Sequence, residues 1–219
     1  VTQMADILKN FSTSSTGWFF MWTLLFVAVF MVAVAIERAY YILVRSNINA
    51  PKFMAEIRKL VKGGDYKKAI ALCNSARDKA LPQVVLSGLK RVSDNETIDF
   101  RSIQNSVDEG TLEVIPKLQE RTSFLAMIAN VATLIGLMGT IYGLIAAFRS
   151  VSAPGIDATE KSRMLAAGIA VAMNTTLTGL IIAVPAILIY TFLHNKTVKI
   201  IDEIDEHTVK LINLITGNQ

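Results

Sequence analysis

Three long apolar runs, at residues 18–36, 124–148 and 164–193, decide what this chain can become, for none of them holds an Asp, Glu, Lys, Arg or His. Each is long enough to cross the hydrocarbon core of a bilayer as a helix, which takes about 20 residues. A helix satisfies its own backbone N–H and C=O groups without water, which is why helices can span membranes. With 52% hydrophobic and only 18% charged residues in 219, and a mean hydropathy of +0.44, the chain has too little polar matter to wrap these runs in a water-soluble globule. The expectation is an all-α membrane protein with three transmembrane helices. The first run is read as a retained transmembrane helix rather than a cleaved leader, since it runs long and ends in Glu37-Arg38 rather than at a small-residue cleavage site. The chain opens on Val1 with no Met, which leaves open whether residues precede it.

Helix punctuation divides the chain as follows. Residues 1–16 form a short N-terminal segment, and 17–46 the first span with a polar extension. Trp18 and Trp22, one turn apart, suit an interfacial anchor at one end of this span, and Tyr40 and Tyr41 the other end. Residues 47–122 read as a polar helical region with no alternating strand pattern. Pro51 starts a helix there, Gly63-Gly64-Asp65 stops it and caps the next, and Pro82 starts another. A long helix is expected from about Ile98 straight into the second span, interrupted by Pro116. The second span is 123–148, its connection to the third is 149–163, the third span is 164–193, and 194–219 is a helical tail. In that tail Ile201, Ile204, Thr208, Leu211 and Ile215 recur at gaps of three and four, like a coiled-coil seam. Fused to the third span it would form one helix on the order of 80 Å long. Copies of the same chain are the simplest partners for it, so a homo-oligomer is expected. Basic residues near span ends number seven on one side (Arg38, Arg45, Lys52, Lys117, Arg121, Lys196, Lys199) and four on the other (Lys9, Arg149, Lys161, Arg163). By the positive-inside rule the 47–122 region and the C-terminus face the cytosol, and the N-terminus and the 149–163 loop face the other side.

The chemistry is defined first by what is missing. The single cysteine, Cys73, permits no internal disulfide and suits a small buried position. Two histidines, His194 and His207, with that one cysteine give no metal-ligand spacing. No nucleophile–base pair, phosphate loop or aromatic-basic interleaving is present, so a catalytic centre, a cofactor and a nucleic-acid partner are not expected. What the second and third spans do carry is stripes of small and hydroxylated residues. One runs through Thr133, Gly136, Thr140, Gly143 and Ala147, the other through Gly168, Ala172, Thr176, Gly179 and Ala183, with Asn130, Asn174, Thr175 and Thr178 adding polarity. Such stripes either let two helices pack closely or line a narrow wet path. A single Thr here would ordinarily bond back to the carbonyl four residues earlier; two facing stripes make Thr140, Thr176, Thr133 and Asn174 candidates for an ion path. Gly136, Gly139, Gly143, Gly168 and Gly179 are candidates for close packing, and Pro185 for a tolerated break in the third span. Asn174 and Thr178 are placed for hydrogen bonds between helices. Glu37 and Arg38 read as interfacial charges. A proton path needs a titratable group at membrane depth. These spans hold no Asp or Glu, so if the chain takes part in proton or sodium movement, a partner must bring the carboxylate.

The residues that carry this pattern resemble a known family. Gly136-Leu137-Met138-Gly139-Thr140-Ile141-Tyr142-Gly143 resembles the G-L-x-G-T-V-x-G signature of the second helix in the MotA/TolQ/ExbB proton-channel family. Asn174 through Ala186 resembles its third-helix x-T-x-x-G-L-x-x-A-I-P-A signature, Glu37-Arg38 its E-R pair, and Gly64-Asp65 with Ala69 its G-D-x-x-x-A segment. Three spans are similar to the ExbB branch first and the TolQ branch next. The resemblance implies a homopentamer in the bacterial inner membrane, enclosing helices of a single-span ExbD- or TolR-type partner whose Asp faces two pore threonines, here Thr140 and Thr176. It also implies coupling of proton motive force to work at the outer membrane through a TonB-like protein. Many members carry a Glu five residues before the third-helix Thr, and this chain has Val171 there. A TolQ-like or other motor stator, and a membrane scaffold whose stripes only pack helices, stand as alternatives.

Overall fold

The computed structural model describes residues 17–94, 99–152 and 154–217. The expectations for 1–16, for the end of the turn after Ser93 and for Ala153 lie outside these residues. The described chain is helical from end to end, in the order α1 (Trp18–Tyr40), a π-helical turn (Tyr41–Ser46), α2 (Ala50–Lys62), α3 (Tyr66–Ser75), α4 (Ala80–Asp94), α5 (Phe100–Gln119), α6 (Thr122–Val151) and α7 (Ala158–Thr216). Three helical stretches are long and apolar enough to cross a membrane. They lie in α1, in α6 and in the first part of α7.

The contacts divide the chain into two units. The apolar unit takes residues 17–36 and Ser123–Thr191; the polar unit takes Glu37–Thr122 and 192–217.

In the polar unit, helix ends follow local chemistry. Asn49 caps α2 by accepting from the Lys52 N–H at 3.3 Å, with Pro51 in the first turn. Gly64, at φ +75°, turns the chain out of α2 through the left-handed region that glycine enters without penalty. Asp65 precedes α3, but its carboxylate takes the Lys68 ammonium at 2.9 Å rather than a backbone N–H. Asp99 caps α5 by accepting from the N–H groups of Arg101 and Ser102. Ile57, Leu89, Ile103 and Leu118 fill the interior, together with Cys73, whose thiol burial pushes up to about 12.

The continuous helix expected from Ile98 into the second span is not formed. Pro116 sits inside α5 without ending it, and the break falls further on, at Glu120 and Arg121. The Glu120 N–H still reaches Pro116 O at 2.8 Å, but Arg121 adopts φ 59° and reverses the helical twist before α6 begins. The tail seam is also met differently. Ile200, Ile204, Thr208, Leu211 and Ile215 are buried within this one chain, with Ile200 in the place expected of Ile201. The Arg58 guanidinium of α2 reaches His207 Nδ1 on that seam at 3.3 Å. These seam residues are therefore covered within the chain itself.

Candidate functional site

In the apolar unit α6 and α7 run antiparallel, and small residues make their contact. A Cβ placed on Gly168 would meet Ala147, and one on Gly143 would lie 2.9 Å from the Ala172 Cβ. On Gly139 it would lie 2.7 Å from Thr175 Oγ1, and on Gly136 3.1 Å from the Thr176 Cα. On Gly179 it would lie 2.6 Å from the Ala132 carbonyl oxygen. Positions descending α6 thus meet positions ascending α7 in steady register. At Gly136 and Gly179 the two backbones touch. At Gly179 only glycine permits this, since any side chain would stand where the Ala132 main chain already is, whereas a Cβ at Gly136 would require its neighbours to give by a few tenths of an ångström.

This close approach assembles a hydroxyl cluster. The Thr140 and Thr176 hydroxyls hydrogen-bond to each other across the two helices. Both also point at one acceptor, Gly136 O, at 3.1 Å from Thr140 Oγ1 and 3.0 Å from Thr176 Oγ1. A third hydroxyl, Thr175 Oγ1, stands 3.3 Å from the same oxygen and 2.7 Å from Ala172 O. Thr140 and Thr176 are half-buried, whereas Thr175 is 1% exposed. The pair is thus open on one side, and Thr175 lies behind it.

The other candidates fall elsewhere. Thr133 is exposed and off the seam, and its hydroxyl bonds back to Ala129 O at 2.9 Å. Asn174 is half-buried, and its carbonyl accepts from Thr178 Oγ1 at 2.8 Å, a bond within α7 rather than the one expected between helices. Asn130 is exposed, and Pro185 is carried inside α7 without ending it.

In the polar unit, Glu37 Oε1 accepts from Arg38 Nη2 at 3.2 Å and from Arg121 Nη1 at 3.3 Å. The Arg38 guanidinium is only 4% exposed and lies 5.0 Å from the centre of the Tyr41 ring, a cation–π contact. The break at Arg121 brings this second guanidinium to Glu37. The sequence did not single out Thr175 above its neighbours, and it held no signal for the Glu37–Arg121 pair, since neither Gly nor Pro stands at the break.

Among the described residues no cluster of three or more His, Cys, Asp or Glu suits a metal ion. The spans contribute hydroxyls, carbonyls and close backbone contact. Such groups can orient and solvate a proton-bearing or polar group, but none of them holds a charge at neutral pH.

A profile of the MotA/TolQ/ExbB proton channel family matches residues 76–206. A biopolymer transport protein ExbB of Aquifex aeolicus is 32% identical over 100 residues, which is 46% of this chain and 64% of that protein. A Tol-Pal system protein TolQ of Haemophilus influenzae is 42% identical over 76 residues, 35% of this chain and 32% of that protein. The matched stretches thus span less than two thirds of either relative. A chain in the solved structure of C. jejuni MotAB superposes with a TM-score of 0.65 at 19% identity, over 100% of this chain and 86% of that one, a likeness of fold.

Proposed function

The chain belongs to the MotA/TolQ/ExbB proton channel family, and from that premise we propose that it is a stator-like subunit of a proton-driven motor in a bacterial inner membrane. The observation that carries this reading is the Thr140–Thr176 hydroxyl pair, half-open on a close-packed seam in spans with no Asp, Glu, Lys, Arg or His of their own. Hydroxyls can hydrate and hand on a proton but cannot store one at neutral pH, so the titrating group belongs to another chain. A single-span ExbD- or TolR-like partner supplies that group as an Asp, and several copies of this chain, five in the ExbB-like arrangement, enclose the partner helices. Thr140 and Thr176 line the path, while Gly136, Gly139, Gly143, Gly168 and Gly179 hold α6 and α7 close enough for the hydroxyls to meet. The polar unit and the C-terminus face the cytosol.

In an ExbB-like role the motor would work at the outer membrane through a TonB-like protein, and in a TolQ-like role it would serve envelope constriction. The ExbB-like role is the one we put forward. A second reading, a scaffold without ion flux, draws on the same glycine seam, which would pack helices whether or not protons passed.

Proton flux into proteoliposomes holding this chain and its single-span partner separates the two. A shared pore loses flux, by about tenfold or more, in Thr176→Ala and equally in the partner's Asp→Asn; removing one well-placed charge-stabilising group commonly costs this much. Flux and biological function untouched by both changes would leave the scaffold.

A further inference from the structure

Three hydroxyls converge on the single carbonyl oxygen of Gly136, and that oxygen cannot serve them all. Within α6 it already accepts the N–H of Thr140, as every interior helix carbonyl does, and a carbonyl has two lone pairs. One place remains for Thr140, Thr176 and Thr175, at 3.1, 3.0 and 3.3 Å. Thr175 alone has a second carbonyl within reach, Ala172 O at 2.7 Å. Its choice fixes the rest. When Thr175 donates to Ala172 O, one hydroxyl of the Thr140–Thr176 pair donates to Gly136 O and the other donates to its partner oxygen. No hydrogen is left over, and the pair turns only oxygen lone pairs outward. When Thr175 donates to Gly136 O, that place is taken. One hydroxyl of the pair still donates to the other, and the accepting one turns its O–H outward.

We propose that Thr175 is a positioning residue that selects whether the Thr140–Thr176 pair offers a lone pair or an O–H to the group it meets. The proposal rests on the pore reading above, and it defines that group by its chemistry. A carboxylic acid needs an acceptor when protonated and a donor when ionised. A pair that can present either suits a carboxyl group that passes through both states. Rotation of one buried hydroxyl, with no backbone movement, changes the face that the pair shows. The side chain of Thr175 is packed against Gly139 and Gly17, so the hydroxyl hydrogen is the part free to turn.

The test measures proton flux over a pH series in proteoliposomes holding this chain with its single-span partner. It compares wild type with Thr175→Val, Thr175→Ala, Thr175→Ser and Thr176→Ala, each checked for assembly by its elution from a sizing column. Without the Thr175 hydroxyl the pair always keeps a claim on Gly136 O and presents an acceptor only. That favours the protonated carboxyl, so the midpoint of flux should move up by about one pH unit in both Val and Ala, the worth of one hydrogen bond. Thr175→Ser should restore the wild-type midpoint. Reduced flux at an unchanged midpoint in Val and Ala would overturn the proposal and leave Thr175 as a packing residue. So would loss of assembly in both with assembly kept in Ser. Full flux in Thr176→Ala is a different failure, that of the pore reading itself.

Discussion

The two units bury their interiors by different means. In the polar unit, Ile57, Leu89, Ile103, Leu118 and Ile204 are almost fully enclosed. Burying each such side chain from water contributes about 1.5–3 kcal/mol. In the apolar unit, the α6–α7 seam is made of Ala132, Gly136, Gly139, Gly143, Ala147 and their counterparts on α7, while Leu134, Leu137, Ile181 and Leu188 point outward. Lipid is as apolar as leucine, so a large side chain gains little by turning inward there, and close backbone contact and hydroxyl bonds hold the helices instead. Glycines in the two units show the same contrast. A Cβ on Gly88, in the polar unit, would meet the tip of the Val107 side chain, whereas one on Gly179 would meet the main chain of Ala132. A side-chain tip can turn aside, and a helix backbone cannot.

The contrast can be broken from either side. Large-to-small change should hurt the polar unit most: Ile204→Ala, at a site with no exposure, should cost about 2–5 kcal/mol. Thermal unfolding followed by near-UV dichroism would show it, and an unchanged transition would mean that the tail seam is not packed in this chain. Small-to-large change should hurt the apolar unit. Gly179→Ala should cost about 1–3 kcal/mol as the helices are forced apart, and it should separate the Thr140 and Thr176 hydroxyls. Flux that survives Gly179→Ala at wild-type level would mean the close approach is dispensable. Gly64→Ala provides a control, since no atom lies within 4 Å of the added carbon and only the φ of +75° resists it. The cost there should be about 1 kcal/mol from backbone conformation alone, with flux unaltered; a larger loss would mean that the added methyl meets a neighbouring group.

The smallest effect is a pH dependence in the polar unit. Burial first, then the Arg58 and Lys210 charges, hold His207 below its ordinary 6.5, against the opposing pull of Glu206 and Glu203. Arg58 donates to Nδ1, so the imidazole is neutral with its proton on Nε2. The unfolded chain therefore binds this proton more readily than the folded one. The contribution of His207 is fully present above about pH 6.5 and is lost as pH falls through its lower folded value. Unfolding midpoints measured between neutral and mildly acid pH should fall on acidification in wild type and fall less in His207→Gln. Parallel slopes would remove His207 from the account.

Much of the site was legible from residue type and spacing. The two Gly-Thr stripes named Thr140 and Thr176 and the glycines between them, because a period of three and four places those residues on one helix face whatever lies opposite. What spacing does not give is the register of one helix on another. Thr133 satisfies the α6 periodicity as well as Thr140 does, yet it stands to the side of the line of contact that Ala132 and Gly136 occupy. Thr175 fits the gaps of three and four between Ala172 and Gly179 as well as Thr176 does, and only the crossing at Gly136 makes Thr175 the buried one. The helix break at Glu120–Arg121 was hidden for a related reason. Pro116 is the residue with the intrinsic tendency to break a helix, but a left-handed Arg121 is held by its surroundings, where its guanidinium meets Glu37. The tail seam was visible as a pattern, while its partner, an interior within the same chain, was not.

The central claim is that this chain supplies a hydroxyl-lined wall and borrows its charge. Proton flux in proteoliposomes holding the purified chain alone, set beside flux with its single-span partner, tests it most directly. On that claim the chain alone gives no flux above empty vesicles and the pair conducts. Flux through the chain alone, at the rate of the pair, would mean that the proton path is complete without a partner's carboxylate and would contradict it.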